Sequence, residues 1–333
     1  MRAWTVREPG PFQEVLRLEE SPLPPHRPGS LLVRTRSAGI NFPDLLMIAG
    51  KYQVRPPLPF TPGFEAVGEV VEIVGPAHGA GPAVGDRVIC QLGHGAFSDY
   101  LRVGPEQTFA IPAGMPDAEA AAFFVAFQTA WFALVHRAGL RGGEVLLVHG
   151  GAGGVGSAAI QLGRSLGAVV VATAGGEEKL EVCRRLGAHH TVDYVRQDFV
   201  AAVRDLTGGR GADVILDPVG GDVFDQSTRC LAWEGRILPI GFTGGRIPSV
   251  AVNHLLLKNI SVVGLYWTTY FEHSPHSIRE AHARLTGLYE NGEIRPLIHD
   301  RYPMEELPRA LSVVAERRSC GKAVLEIAGG AGA

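Results

Sequence analysis

Apolar positions along this chain change their spacing twice. Over the first 110 residues they come in short runs cut by turn formers, as in SLLVRTRSAG at 30–39, FEAVGEVVEIVG at 64–75 and DRVICQ at 86–91. Pro and Gly recur between the runs, in LPPHRPG and PAHGAGPAVGD. Short runs bounded by residues that force turns predict a β-rich domain of strongly turned strands. Near residue 117 the pattern changes. DAEAAAFFVAFQTAWFALVHRAG is long, Pro-free and apolar, and predicts one or two buried helices.

From 144 to 264 strands and helices alternate. EVLLVHG is a fully apolar strand, and GVGSAAIQLGRSLGA predicts a helix with Val155, Ala159, Leu162 and Leu166 on one face. AVVVAT, the helix EEKLEVCRRLGA and the short strand TVDY at 191–194 follow, then ADVILDPVG, GRILPIG and NISVVG. Buried strands separated by helices require a parallel sheet covered on both faces, which sets the fold class as α/β. After 265 the chain predicts a helix near 277–291 and a last strand near GKAVLEI, with the tail GGAGA expected to fray. No internal repeat is visible.

Composition narrows the function. With 46% hydrophobic and 20% charged residues the chain is an ordinary globular one. A net charge of -3 gives no global positive field for nucleic acid or anionic lipid, so nucleic-acid binding is not expected. The apolar stretches at 120–135 and 251–265 are interrupted by polar residues such as Gln128, Asn253 and Lys258, so no membrane span is expected. MRAWTVREPG lacks the apolar run of a signal peptide. Cys90, Cys183, Cys230 and Cys320 form no CxxC pair and suit reduced thiols in a cytoplasmic enzyme.

The sharpest chemical signal is VLLVHGGAGGVGSAAIQLG. Gly151, Gly153 and Gly156 have GxGxxG spacing between a strand and a helix, with Gly154 and Val155 inside the same junction. The first glycine is expected to permit the tight turn, the second to leave room for a pyrophosphate, the third to let helix and sheet approach. At the end of the next strand stand Thr173, Ala174, Gly175 and Gly176, followed by Glu177, Glu178 and Lys179. An acid that would bind the 2′-hydroxyl of NAD is missing there, and Lys179 can pair with a 2′-phosphate, which favours NADPH. Glu177 and Glu178 oppose that pairing, although acids are also normal in a first helical turn.

Catalytic zinc needs three convergent ligands. SAGINFPD has no cysteine, TPGFEAVG has Phe64 beside Glu65 rather than a histidine, and no zinc-like spacing joins the remaining histidines, so no metal is expected. Asn41, Tyr52 and Thr129 are polar residues in apolar or turn-rich stretches and are candidate ligand contacts; caps and turns use the same residue types.

Taken together, AGINFPDLLMIAGKY, PFTPGFEAVGEV, GAFSDY, FQTAWFAL, HGGAGGVGSAAIQLGRSLGA, GADVILDPVGG, NHLLLKNISVVGLYW and RRSCGKAVLEI resemble the zinc-free quinone oxidoreductases of the medium-chain dehydrogenase/reductase superfamily over nearly all 333 residues. The resemblance implies a GroES-like substrate domain from 1–122 and 265–333, with a Rossmann-type NADPH domain at 123–264 inserted in it. It implies that Asn41 and Tyr52 lie near nicotinamide and substrate, and that Thr129 positions the nicotinamide half. It places Gly175, Lys179 and Tyr194 at the adenosine 2′-phosphate and makes Arg317, next to Arg318, a further cofactor contact. Where some relatives have a second tyrosine, this chain has Leu46 and a more apolar pocket. The implied reaction is NADPH-dependent reduction of a quinone in a cleft between the domains. The alternative is reduction of the C=C bond of enals, enones or enoyl thioesters. A homodimer joined through the cofactor domains is also implied, with GLYWTTYF at 264–271 covering the sheet edge, packing on a partner, or serving as internal core.

Overall fold

Alternation of apolar side chains makes the short runs pair as strands with one face in a core. The computed structural model describes residues 1–75 and 81–327. The GGAGA tail and the start of the PAHGAGPAVGD turn lie outside those residues. In chain order the elements begin with β1 (Arg2–Val6), α1 (Phe12–Val15), β2 (Leu16–Glu20), β3 (Leu31–Gly39) and α2 (Phe42–Ile48). Next come β4 (Glu65–Ile73), β5 (Arg87–Gln91), β6 (Tyr100–Val103), β7 (Thr108–Ala110) and α3 (Asp117–Trp131). The alternating part contains β8 (Val145–Val148), α4 (Gly154–Ser165), β9 (Val169–Ala174), α5 (Glu177–Arg185), β10 (His190–Asp193) and α6 (Phe199–Leu206). It continues through β11 (Ala212–Asp217), α7 (Gly221–Ser227), β12 (Leu231–Pro239), α8 (Val252–Lys258) and β13 (Ser261–Val262). The chain closes with α9 (Tyr270–His273), α10 (Pro275–Glu290), β14 (Ile298–Pro303), α11 (Leu307–Ala315) and β15 (Lys322–Glu326).

Two compact units result. The first comprises Met1–Val125 and the segment from Pro296 onward. Its main sheet runs β14-β15-β3-β4-β5-β7, with β6 also on β3, and β1 and β2 form a separate antiparallel ribbon. Val33, Ala38, Ile48, Val70, Phe97, Leu311 and Leu325 are buried at its centre. Gly68 of β4 lets the Arg34 carbonyl approach, since a Cβ there would stand 2.3 Å from that oxygen. The expected strands at 30–39, 64–75 and 86–91 correspond to β3, β4 and β5.

The second unit, Ala126–Arg295, holds a six-stranded sheet in the order β10-β9-β8-β11-β12-β13. All its pairings are parallel. The chain starts at β8, winds outward to β10, then crosses back to β11 and winds the other way. This is the doubly wound Rossmann order, and its switch point lies between β8 and β11. Ala159 and Leu162 of α4 are fully buried as expected, but Val155 and Leu166 are only half-buried. Burial instead runs unbroken from Gly156 to Gly163. Gly163 explains it: a Cβ there would stand 2.5 Å from Leu146, so the helix axis lies close on the sheet.

The second unit reaches Arg295, beyond the boundary of 264 implied by the resemblance. Side-chain bonds tie the segment beyond 264 to the rest of the unit. Gln128 Nε2 donates to the Ile278 carbonyl at 3.2 Å, and Gln161 Nε2 donates to that of Arg295 at 3.0 Å. Part of GLYWTTYF packs inward: Trp267 is buried, and the Tyr270 ring lies 4.5 Å from the Phe132 ring. The apolar helix becomes one 21-residue stretch, Asp117–Arg137, closing in a π-helical turn at Phe132–Arg137. Its mean hydropathy of 1.5 would allow a bilayer, but 78% of the window is buried in the fold, as in a core helix.

Candidate active site

In the second unit, β8 delivers the chain to the glycine turn. Gly150 takes the left-handed backbone at φ 61, so the tight turn belongs to Gly150 rather than to Gly151. Gly151 serves close packing instead: a Cβ there would meet Cys183 Sγ at 2.8 Å and Ala172 at 3.0 Å. Gly153 is the N-cap of α4, and Gly154 and Val155 are its first two residues. A Cβ at Gly156 would stand 2.2 Å from the Gly150 carbonyl oxygen, so no larger residue fits without moving backbone. The turn therefore presents backbone N–H groups at a helix N-terminus beside the switch point, with no Cβ accommodated at Gly151 or Gly156. That arrangement fits a pyrophosphate.

Below the turn, His149 ties the strand ends together. Its Nδ1 lies 3.0 Å from Thr173 Oγ1 and its Nε2 2.8 Å from Ser227 Oγ. Ser227 donates its own proton to the Val223 carbonyl, so Nε2 is the donor and Nδ1 accepts from Thr173. Burial holds the imidazole neutral, pushing it down to about 3. Asp217, at the end of β11, accepts the N–H groups of Val219 at 2.8 Å and Gly220 at 3.0 Å. Its pKa is raised by burial.

At the end of β9 the chain carries no charge, and Gly175 admits the Tyr194 side chain. A Cβ at Gly175 would stand 2.9 Å from the Tyr194 hydroxyl, and Tyr194 is 52% exposed. Gly176 caps α5 at φ 86, and Lys179 lies half-buried in the helix's first turn. Glu177, expected to oppose a phosphate, pairs with Arg184 at 2.7 Å. An acid is present one strand away. Asp193, at the end of β10, accepts from Gly176 N–H at 3.2 Å and Val195 N–H at 3.0 Å, so it is engaged in holding the loops. Thr129 is buried in α3 and belongs to this unit.

The first unit holds Asn41, Tyr52 and Arg317. Tyr52 packs edge-on against Phe64 at 5.5 Å. Arg317 sits just past α11 at φ 56. Its N–H donates to the Val314 carbonyl and that of Arg318 to the Val313 carbonyl. This double bond pattern ends a helix through a left-handed residue, normally glycine. Arg318 turns to Glu316 at 2.6 Å.

Asn41 is part of a buried polar cluster that the sequence did not announce. It is the N-cap of α2. Its Nδ2 donates to the Gly39 carbonyl at 3.2 Å and to Glu65 Oε1 at 3.1 Å. Its Oδ1 accepts from Lys322 Nζ, which also donates to Glu65 Oε1 at 2.8 Å. The other Glu65 oxygen accepts the Val125 N–H at 2.9 Å. Both Asn41 amide hydrogens are thereby used, and only an Oδ1 lone pair remains to meet a ligand. Removing one member of the Lys322–Glu65 pair would strand a buried charge, at a cost of about 3–5 kcal/mol. Lys322 was visible only as a cation inside a predicted strand. Its polarity in an otherwise apolar run, GKAVLEI, was the available signal.

The two stretches in which zinc ligands would fall meet in this cluster as Asn41 and Glu65, with Lys322 between them. Among the described residues no group of three or more His, Cys, Asp or Glu gathers in a metal-binding arrangement.

Comparison with known proteins agrees with both units. Residues 27–113 match the alcohol dehydrogenase GroES-like domain, and residues 154–286 match the zinc-binding dehydrogenase family. The chain is 38% identical to a quinone oxidoreductase-like protein 2 homolog of Nematostella vectensis, over 88% of this chain and 80% of that one. It is 34% identical to a quinone oxidoreductase of Pseudomonas aeruginosa, over 92% and 95%. Among solved structures, the quinone oxidoreductase of Thermus thermophilus, also solved in complex with NADPH, superposes with a TM-score of 0.84 at 31% identity over 98% and 100% of the two chains. The JamJ enoyl reductase superposes at 0.86 with 28% identity, over 98% and 99%. The chain belongs to the quinone oxidoreductase family of the medium-chain dehydrogenase/reductase superfamily, with a GroES-like and a Rossmann-type unit, and is an oxidoreductase.

Proposed function

We propose that this chain reduces a quinone with NADPH, by transfer from the nicotinamide and without zinc. The observation that carries the reading is the Gly150–Gly156 turn, which admits no Cβ at Gly151 or Gly156 and sets a helix N-terminus beside the switch point of the parallel sheet. The NADPH complex of the Thermus relative supports the choice of cofactor.

NADPH, when bound, supplies the hydride. Gly151, Gly153, Gly154, Val155 and Gly156 hold the pyrophosphate against the start of α4. Lys179 neutralises the 2′-phosphate, with Gly175 and Tyr194 alongside. Thr129 positions the nicotinamide half, and Arg317 adds a cofactor contact. Tyr52 orients the acceptor, offering a hydroxyl to its oxygen from a ring steadied by Phe64. Asn41, with both amide hydrogens engaged, accepts through Oδ1 from water or from the carboxamide NH2 of the nicotinamide. Solvent provides the proton. No residue in this scheme forms a covalent bond, so replacing Asn41 or Tyr52 lowers turnover without abolishing it.

The alternative acceptor is the C=C bond of an enal, enone or enoyl thioester, supported by the likeness to the JamJ enoyl reductase and by apolar Leu46. We place the protein in the cytoplasm, where Cys90, Cys183 and Cys230 would stay buried thiols. We also expect a homodimer through the cofactor unit. The deciding experiment is an anaerobic NADPH-oxidation panel of quinones and α,β-unsaturated carbonyls, with a metal chelator present and products analysed. Quinones should be the best acceptors. Far higher kcat/KM for enals or enoyl thioesters would replace the quinone assignment with the alternative, and loss of turnover on chelation would overturn the zinc-free mechanism.

A further inference from the structure

The Asn41 amide is fixed from three sides by groups far apart in sequence. Strand pairing brings them together: the Ile40 N–H donates to the Ala323 carbonyl at 3.0 Å, so the start of β15 lies against the residue before Asn41. Lys322 then reaches Asn41 Oδ1 and Glu65 Oε1 with one ammonium group. Gly39 keeps the space open, because a Cβ there would stand 2.6 Å from Glu65 Oε1. The result is an ordered polarity. Glu65, an acceptor, can face only Nδ2, and Lys322, a donor, can face only Oδ1, so a flipped amide would put like against like at both contacts. For packing alone a buried ion pair is a poor choice, since apolar residues of similar volume are often as stable.

We propose that Lys322 and Glu65 are positioning residues of the reductase reaction, setting the orientation in which the Asn41 amide meets the reacting rings. The inference rests on the reading that Asn41 faces the nicotinamide and acceptor. Neither Lys322 nor Glu65 needs to touch a ligand. Their effect runs through one amide, whose Oδ1 is held in a single direction before substrate arrives. Misplacement of an orienting group costs rate rather than binding, on the order of 100-fold for about an ångström.

The test uses the full chain in three variants. Lys322→Met strands the Glu65 carboxylate and is expected to melt early. Glu65→Gln/Lys322→Met removes both charges. With the carbonyl of the introduced glutamine keeping the Val125 N–H, its NH2 faces Asn41 and turns the amide over. This double variant should regain wild-type melting and still bind NADPH, yet lose about 10- to 100-fold in kcat. The kinetic isotope effect with 4-deuterated NADPH should rise as transfer becomes limiting. Lys322→Arg, which keeps the cation, should recover kcat relative to Lys322→Met. A double variant with wild-type melting, kcat and isotope effect would overturn the proposal, leaving the pair a structural ion pair. Lys322→Arg no faster than Lys322→Met would also count against it. Each variant is assayed with both quinone and enone acceptors. A wrong acceptor assignment then shows as the preference of the wild type, and a wrong positioning role shows as an unchanged kcat in the double variant.

Discussion

Asp44 closes the start of α2 onto Asn41: its Oδ2 accepts the Asn41 backbone N–H at 2.7 Å. Burial raises this carboxyl to about 7 from an ordinary value of 3.8, against the opposing pull of the Asn41 N–H and of Lys322. Glu65 is the acid beside it and raises it further. Between those two values the folded chain holds a proton that the unfolded chain has lost, so stability falls as pH rises from about 4 to about 7. Asp44→Asn keeps an acceptor for the Asn41 N–H and removes the titration. Its melting temperature should therefore fall less steeply over that interval than the wild type's. Equal slopes in thermal melts across pH 4 to 7 would show that Asp44 is ionised throughout.

In the proposed 2′-phosphate site Lys179 would supply the charge, beside Gly175 and the Tyr194 hydroxyl that the missing Cβ admits. Hydrogen bonds to charged groups contribute about 1.5–3 kcal/mol, so Lys179→Ala should weaken NADPH about 10-fold or more. NADH binding should hardly change. Because Glu177 is paired with Arg184, it does not compensate for or oppose the change strongly. Titration of cofactor fluorescence with both nucleotides reads the difference directly. Equal losses, or a wild-type preference for NADH, would remove the phosphate from this site.

The second unit was legible because its signals are local. A parallel strand buried on both faces reads as an apolar run, and β8, β9, β11 and β12 each did so. The glycine spacing was equally plain, yet the turn itself falls on Gly150, one residue before the motif, since sequence cannot separate a left-handed glycine from a closely packed one. The Asn41 cluster stayed hidden for a different reason. Glu65, Lys322 and Gly39 acquire their roles only when β15 pairs with β3, and no spacing along the chain records that meeting. The extension of the second unit to Arg295 was hidden likewise, being held by side-chain bonds from Gln128 and Gln161 to distant carbonyls.

Arg317 carries the conformational cost of a left-handed backbone. A non-glycine residue in the left-handed region gives up about 1 kcal/mol or more relative to glycine. Its place at the end of α11 is one where glycine is usual. The proposed cofactor contact gives its guanidinium a role at that position. Arg317→Gly should relieve that backbone cost and weaken NADPH binding at the same time. Arg318→Ala, which loses only a surface pair with Glu316, should do neither. An Arg317→Gly variant with unchanged affinity would make Arg317 a tolerated strain with no part in cofactor binding.

Exposed apolar side chains gather on α8 rather than on the aromatic segment at 264–271. Trp267 and Tyr270 pack against Phe132, leaving Tyr266 at 39% exposure as the aromatic most open in that stretch. On α8, by contrast, Val252 is 75% exposed, and Leu256 and Leu257 are each 71% exposed. Val252 and Leu256 are four residues apart and share a helix face. The helix immediately precedes β13, the edge of the parallel sheet, which pairs only with β12 among the described residues. Apolar side chains grouped beside an open sheet edge are expensive to leave in water and mark an association surface. Light scattering should give about twice the 35.5 kDa chain mass. Leu256→Glu/Leu257→Glu should shift it to the single chain, because burying two carboxylates in the contact costs more than the lost apolar area. The monomer should retain the NADPH affinity of the glycine turn, since those residues lie elsewhere in the unit. Wild-type protein that scatters as a single chain across assay concentrations would reject the dimer, and a double glutamate variant that stays dimeric would move the interface off α8.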